Sequence, residues 1–384
     1  MCDSLCIVGE RGTLFAKSSD RPVGEAQVLE WHDRRAGGGT VRTQYLEVAD
    51  PGASAVVGSR PTWLWGFEHG VNEHRVAIGN ERVWTTDAPL TAPRGLIGMD
   101  LVRLGLERAA SAEAAVDVLT ALLETHGQGG PAEAPDGEPY SSSFLLADPT
   151  QAWVLETSGR TWAARRAESG RGVALSNRIS IGEEWDRASA DVATERSFDD
   201  WRDPRWSPIA DIRLACTLPA VTDVAAAPAD LVAVLRHHGD RPWGRPGDDL
   251  ADVSPVPPPE VGRDGSGVTG CMHVRGLQVT AASMVCALPS DPGEPIRIWA
   301  AAGSPCCSVY LPVPGPDGPA VPALADERTW ARFDALRRRA ESDPAALLAI
   351  RAELAPVEAR LWSTRTDGNA AWPDVEAALE ALGV

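Results

Sequence analysis

The sequence predicts an α+β fold, and three observations carry that reading. Short β-prone runs fill the first eighty residues, apolar residues switch to helical spacing at Gly98, and strand-like runs return at Ser143, well before a helical tail begins near residue 324. The order is strands, two helices, strands, helices, strands, helices. Two sheets packed face to face with helices outside fit this order, and so does a generic α+β arrangement.

Residues 3–8 (DSLCIV) and 13–19 (TLFAKSS) are the first two strands, and the GERG segment between them supplies the turn of a hairpin. Further strands are expected at Gln27–Trp31, Thr40–Val48, Ala55–Ser59 and Arg75–Gly79. Ser111, followed by Ala112 and Glu113, reads as a break with an N-cap and an acidic first turn, giving two helices at about 98–109 and 112–126. The glycines and prolines of Gly127–Pro139 form a loop, and strands follow at Ser143–Ala147, Ala152–Thr157, Thr161–Arg166 and Gly172–Ser176. The stretch from about 183 to 265 mixes tryptophans, prolines and short helical pieces, with Leu231–His238 helical and Ser254–Gly267 a Pro/Gly-rich loop. Strands resume at Gly276–Met284 and Ile296–Ala302, and the tail carries leucine and alanine faces through Leu382. The length of 384 residues suggests one to three domains, and no internal repeat is visible.

The net charge of −18 makes phosphate backbones and anionic membranes poor partners. No apolar run approaches the ~20 residues that span a bilayer. The start, MCDSLCIVGERG, lacks a basic leader, so the cytoplasm is the expected location. Seven cysteines, an odd number without a CxxC pair in a large chain, do not indicate a disulfide framework. The histidines show no metal spacing. His237-His238 and Cys271-Met272-His273 are the nearest cues, and both are weak. Neither a metal nor a cofactor is expected, and full activity in chelator follows. Of 36 basic residues only Lys17 is lysine, a compact point charge in a chain that otherwise uses the planar fork of arginine.

Removal of Met1 would leave Cys2 with both a thiol and a free α-amine. That amine has a reference pKa of about 7.7–8.0, so nucleophile and base can share one residue. The hairpin returns Lys17 and Asp20, in the segment KSSDRP, beside Cys2. There the carboxylate can hold the ammonium, and the lysine can lower the thiol pKa or bind substrate. Cys6 has no free amine and reads as core. Arg21 serves an ion pair or a substrate carboxylate. Glu68 and Glu73 read as solvated loop carboxylates. Trp63 and Trp65 read as packing, with Trp65 kept as a candidate pocket residue.

The chain resembles the secernins and bacterial cysteine dipeptidases, relatives of penicillin V acylase and conjugated bile salt hydrolase among the N-terminal nucleophile (Ntn) hydrolases. The matching pieces are CDS at Cys2–Ser4, FAKSSDRP at Phe15–Pro22, RPTWLWGFEHGVNEHRVAIGNE at Arg60–Glu81, GMDLVRLGLERA at Gly98–Ala109, LLETHGQGG at Leu122–Gly130 and AWVLETSGRTWAA at Ala152–Ala164. A weaker echo is GLQVTAASMV at Gly276–Val285. The resemblance implies a single four-layer αββα Ntn-hydrolase domain over 1–384, with a loop at about 254–267 and a helical segment at about 324–384. It implies Cys2 as nucleophile, its amine as base, Asp20 as anchor of that amine, and Lys17 in the place of an active-site arginine of the bile salt hydrolases. Asn80 becomes the oxyanion donor with Asn72 as its competitor, and Asn177 a second polar residue with Arg178 beside it. Ser18 departs from the asparagine common in the motif, and no arginine of the second half matches the late active-site arginine of the acylases. The implied activity is hydrolysis of dipeptides or small N-acyl compounds through a thioester. The alternatives are an amide-forming acyltransferase of secondary metabolism and a secernin-like binding protein with little catalysis. The implied partner is a small peptide or N-acyl substrate, and self-association among relatives leaves a homo-oligomer open.

Overall fold

The computed structural model describes residues 1–87, 92–133, 137–168, 170–192, 196–238, 268–274, 276–364 and 368–384; the loop expected at 254–267 lies outside them. The strands of the first part are β1 (Cys2–Gly9), β2 (Gly12–Pro22), β3 (Gln27–His32), β4 (Arg35–Ala36), β5 (Thr40–Arg42), β6 (Glu47–Ala49), β7 (Gly52–Ala53), β8 (Val56–Pro61), β9 (His69–Asn72) and β10 (Ala77–Val83). Helices α1 (Gly98–Arg108) and α2 (Ala112–His126) follow, then β11 (Ser141–Ala147), β12 (Ala152–Ser158), β13 (Thr161–Arg166), β14 (Gly172–Leu175) and β15 (Arg187–Ala188). The second half holds α3 (Ser207–Thr217), α4 (Pro228–Leu235), β16 (His273–Val274), β17 (Gln278–Pro289), β18 (Arg297–Ala302), β19 (Leu311–Val313), α5 (Glu327–Ser342), α6 (Pro344–Thr364) and α7 (Gly368–Ala381).

Two antiparallel sheets dominate. One has the order β14-β1-β2-β17-β18-β19 with β16 on β17, and the other the order β15-β13-β12-β11-β10-β9-β8-β3. The β1–β2 hairpin forms, and β2 extends beyond the expected 13–19 because β17 pairs with it from Gly12 to Pro22. Two expectations need correction. Thr40–Val48 is not one strand: a turn in which Thr43 N donates to Leu46 O at 2.8 Å folds it into the β5–β6 ribbon. The strand expected at Arg75–Gly79 starts later, at Ala77. Asn72 Oδ1 accepts from His74 N and Val76 N and fixes a turn, with Arg75 at φ 68°. The helices begin as expected, and Ser111 Oγ accepts from Ala114 N at the N-cap of α2.

Alternation along the strands sorts side chains into layers. Cys6, Phe15, Met284 and Cys286 of the first sheet meet Val57, Val71, Ala77 and Leu145 of the second in one apolar layer. Ile78, Phe144 and Leu146 point the other way, onto Leu101 of α1 and Val116 and Leu119 of α2. Leu5, Ile7 and Val285 face Leu214 of α3 and Leu231 and Leu235 of α4. The architecture is therefore the four-layer αββα sandwich. Among the described residues no helix is long and apolar enough to cross a membrane.

Gly79 of β10 lies directly against side chains of the first sheet. A Cβ there would stand 2.6 Å from Lys17 Cδ, 3.0 Å from Ser4 Oγ and 3.1 Å from Phe15 Cζ, all buried and hemmed in. Gly79→Ala is expected to destabilise the fold by about 1–3 kcal/mol through overpacking. Urea denaturation measures this as a fall in midpoint with an unchanged slope.

Candidate active site

Strand register determines which hairpin side chains meet. Cys2, Ser4 and Cys6 lie opposite Ser19, Lys17 and Phe15. These six share the face that looks toward the second sheet, and Arg21 follows Lys17 and Ser19 on it. Asp3 and Asp20 fall on the opposite face, toward α3.

Lys17 is fully buried, and a bare ammonium in that space would be costly. Glu68, on the bend before β9, answers it. Its Oε2 lies 3.7 Å from Lys17 Nζ and 3.9 Å from Cys2 Sγ. Its Oε1 accepts from Arg21 Nη1 at 2.8 Å. With the Asn80 amide oriented by its hydrogen-bond pattern, Nδ2 donates to Glu68 O at 2.9 Å and to Glu68 Oε2 at 3.1 Å. Glu68 Oε2 is thus an anionic oxygen ringed by an ammonium, an amide nitrogen and the thiol. Lys17 Nζ also donates to Ser18 O at 3.3 Å and Ser19 Oγ at 3.4 Å, and Ser19 Oγ lies 3.3 Å from His69 Nδ1.

Burial pushes the Cys2 thiol up to about 11, with Lys17 pulling against it and Glu68 adding to it. Burial disfavours the Lys17 ammonium, yet Cys2, Glu68 and Glu81 outweigh it and the net shift is upward. His69 is held well below its usual value by burial and by Lys17, so its imidazole is neutral. Glu81, bonded to Ser4 Oγ, is pushed up to about 7, mainly by burial.

The nitrogen of Cys2 donates to Asn177 Oδ1 at 2.9 Å, and Asn177 Nδ2 donates to Arg82 O at 2.8 Å. The carboxylate of Asp20 is taken up elsewhere, by Thr280 Oγ1 at 2.6 Å and by the guanidinium of Arg213. Arg213 Nε also donates to Asp3 Oδ2 at 2.7 Å. The α-ammonium of Met1 donates to Gln278 Oε1 at 3.0 Å and to Asp20 O at 3.4 Å. The Met1 side chain packs on the buried cluster of Val268, Met272 and Val274, as does Ile209.

The structure therefore gathers Cys2, Lys17, Arg21, Asn80 and Asn177 into one cluster, with Asp20 directly behind it. Three candidates go elsewhere. Asn72 Nδ2 donates to Leu106 O at 2.8 Å and Ala109 O at 2.7 Å, closing the end of α1. Trp65 lies under Arg103, 4.3 Å from its ring centre, against α1. Arg178 pairs with Asp211 of α3 at 2.6 Å, half-buried. Two residues of the site escaped the sequence reading. Glu68 is 2% exposed, not a solvated loop carboxylate, and its apolar neighbours in WLWGF were the available signal. Arg213 sits in a short helix within a stretch without motifs. Glu73 pairs with Arg34 and accepts from Ala55 N.

An αββα sandwich with a cysteine at the start of an interior strand of one sheet is the arrangement that the resemblance to Ntn hydrolases implies. Residues 65–198 match the sequence model of peptidase family C69, which bears out the resemblance over that stretch. The class of reaction is that of a cysteine hydrolase acting on amide or peptide bonds. Glu68, Asn80 and Asn177 lie inside the match, whereas Cys2, Lys17 and Asp20 lie before it. Among solved structures, similar ones include a mutant of the conjugated bile acid hydrolase from Clostridium perfringens (11% identity, 79% of this chain and 89% of that chain, TM-score 0.42). Penicillin V acylase from Agrobacterium tumefaciens is another (13%, 82% and 86%, 0.40). A third is the Caenorhabditis elegans ortholog of N-acylethanolamine-hydrolyzing acid amidase (10%, 76% and 94%, 0.40).

With Met1 attached, the thiol at about 11 is almost wholly protonated at neutral pH. Only thiolate is alkylated, so iodoacetamide labelling of Cys2 in a Met1-bearing chain should rise about tenfold per pH unit between pH 7 and 10. Peptide mapping of chain made with methionine aminopeptidase inhibited checks this, and a plateau near pH 8 would contradict it.

Proposed function

We propose that the mature chain begins at Cys2 and hydrolyses unblocked dipeptides or similarly small amides through a thioester on that residue. The observation that carries this reading is the position of Glu68 Oε2, an anionic oxygen 3.9 Å from Cys2 Sγ with Lys17 Nζ and Asn80 Nδ2 around it. A substrate carbonyl that takes this oxygen's place meets the nucleophile and two donors at once.

In this mechanism the free amine of Cys2 accepts the thiol proton, and Asn177 Oδ1 orients that amine by accepting one of its N–H groups. Lys17 stabilises the resulting thiolate. The sulfur attacks the amide carbon, and Asn80 donates to the oxyanion, an interaction of about 3 kcal/mol in comparable sites. The Cys2 ammonium returns its proton to the leaving amine as the C–N bond breaks. Water, deprotonated by the same amine, then cleaves the thioester, releasing the acid and restoring the thiol. Arg213 fixes Asp3 and Asp20 on the opposite face and so holds the ends of β1 and β2 in register. No step uses a metal.

The surroundings of Met1 support the preference for a free amine. Its ammonium is held by Gln278 Oε1 and the Asp20 carbonyl. Burial raises Glu133, but this ammonium and Arg82 outweigh it and keep the carboxylate low. These groups suit the amino end of a dipeptide, and the apolar wall of Val268, Met272 and Val274 suits its side chain.

Three measurements test the proposal. Mass spectrometry of active protein should show a chain starting at Cys2. Cys2→Ala should abolish turnover, while Cys6→Ala should leave turnover intact and lower only stability; the reverse pattern in folded protein would refute the assignment. In a dipeptide panel, N-acetylation should lower kcat/KM at least about tenfold, a loss of about 1.4 kcal/mol of transition-state binding. Equal rates would remove Gln278 and Glu133 from substrate recognition.

A further inference from the structure

Away from Cys2 lies a second cluster with chemistry of its own. His238, Cys271, His273 and Cys306 are all buried, and one ligating atom from each lies within 4.8 Å of the others. His238 follows α4, Cys271 precedes β16 and His273 opens it, and Cys306 sits in the 3₁₀ turn Pro305–Cys307 after β18. His273 Nε2 is 3.4 Å from both Cys271 Sγ and Cys306 Sγ.

We propose that these four side chains form a structural zinc site. Zn–S bonds of about 2.3 Å and Zn–N bonds of about 2.0–2.1 Å at tetrahedral angles put sulfur and nitrogen ligands about 3.6 Å apart, close to the observed separations. Two thiols and two imidazoles form a soft-to-borderline donor set that suits zinc and does not suit magnesium or calcium. Four protein ligands close the tetrahedron, which is the mark of a structural site; a catalytic zinc keeps an open position. On binding, both thiols release their protons to solvent and the two thiolates balance the dication.

The surroundings of the ligands also fit. His273 Nδ1 lies 2.9 Å from Glu341 Oε1, and Arg337 Nη1 donates to Glu341 Oε2 at 2.6 Å. A carboxylate on the far nitrogen fixes the ring and leaves Nε2 as the ligand. The sequence offered only the weak pairs His237-His238 and Cys271-Met272-His273, because His238 and Cys271 are 33 positions apart, as are His273 and Cys306. Folding supplies the proximity.

The site would pin α4, β16 and the turn after β18 to one another, with α5 behind them through Glu341. It would also stiffen one wall of the nucleophile's surroundings. Met272, between two of the ligands, touches Arg213 Nη1 through its sulfur, and its N–H donates to Thr280 Oγ1, which donates to Asp20.

The test is metal analysis of the full-length chain purified without chelator from zinc-supplemented cells. One equivalent of zinc is expected, released in step with thiol modification by a mercurial and read with a chromogenic chelator. Stripping it should lower Tm by about 5–10 °C, and Zn²⁺ but not Mg²⁺ should restore it. A Cys271→Ser/Cys306→Ser variant should lose the zinc, whereas Cys307→Ser should keep it. If the double variant fails to fold, the wild-type stoichiometry and its Tm response still decide. Folded wild-type protein that binds no zinc and shows no Tm response overturns the proposal. So does a disulfide among Cys271, Cys306 and Cys307, or an equivalent of iron in place of zinc.

Discussion

The arrangement around Cys2 rests on the burial of one positive charge. Lys17 lies between two sheets where water does not compensate it, and so it requires an anion. Glu68 supplies that anion from a bend in the other sheet, and Arg21 shares the same carboxylate. Because both cations belong to β2 and the anion belongs to the second sheet, the ion network sets how the two layers sit at this end of the sandwich. Removing one member of such a buried set is costly, since its partners are left uncompensated. The thiol of Cys2 inherits its electrostatic setting from this constraint.

A second buried set works on the opposite face. Arg213 holds Asp3 and Asp20, one from each strand of the hairpin. Lys17 and Asp20 are only three positions apart, yet they serve different sides of one sheet. Alternation explains this: a segment read as one functional patch is divided by the pleat. Asp20 therefore lies behind Cys2, and Asn177 stands where the nitrogen of Cys2 donates.

What could be read from the sequence was local or repeated. The hairpin announced itself through two β-prone runs and a glycine turn, and it carried Lys17 to Cys2. The helices α1 and α2 announced themselves through apolar period and the Ser111 cap. Asn177, unlike these, came only through resemblance. Glu68 stayed hidden because a single carboxylate has no period and its burial depends on a lysine 51 positions away. Asn72 was misjudged for a related reason: an amide suited to an oxyanion is equally suited to capping a helix, and only the fold reveals which carbonyls it meets. Arg213 was missed because α3 is short and its surroundings lack any recognisable motif.

The first peptide bond has a consequence for the timing of synthesis. Met1 is half-buried, Cys2 is 5% exposed, and the amide between them is tied to Asn177. An aminopeptidase needs that bond in an extended, accessible segment. If the mature chain begins at Cys2, as proposed, excision has to precede the closure of β14 on β1 and of β17 on β2. On that proposal, strands encoded far downstream set a deadline for trimming, and a chain that folds first would keep Met1.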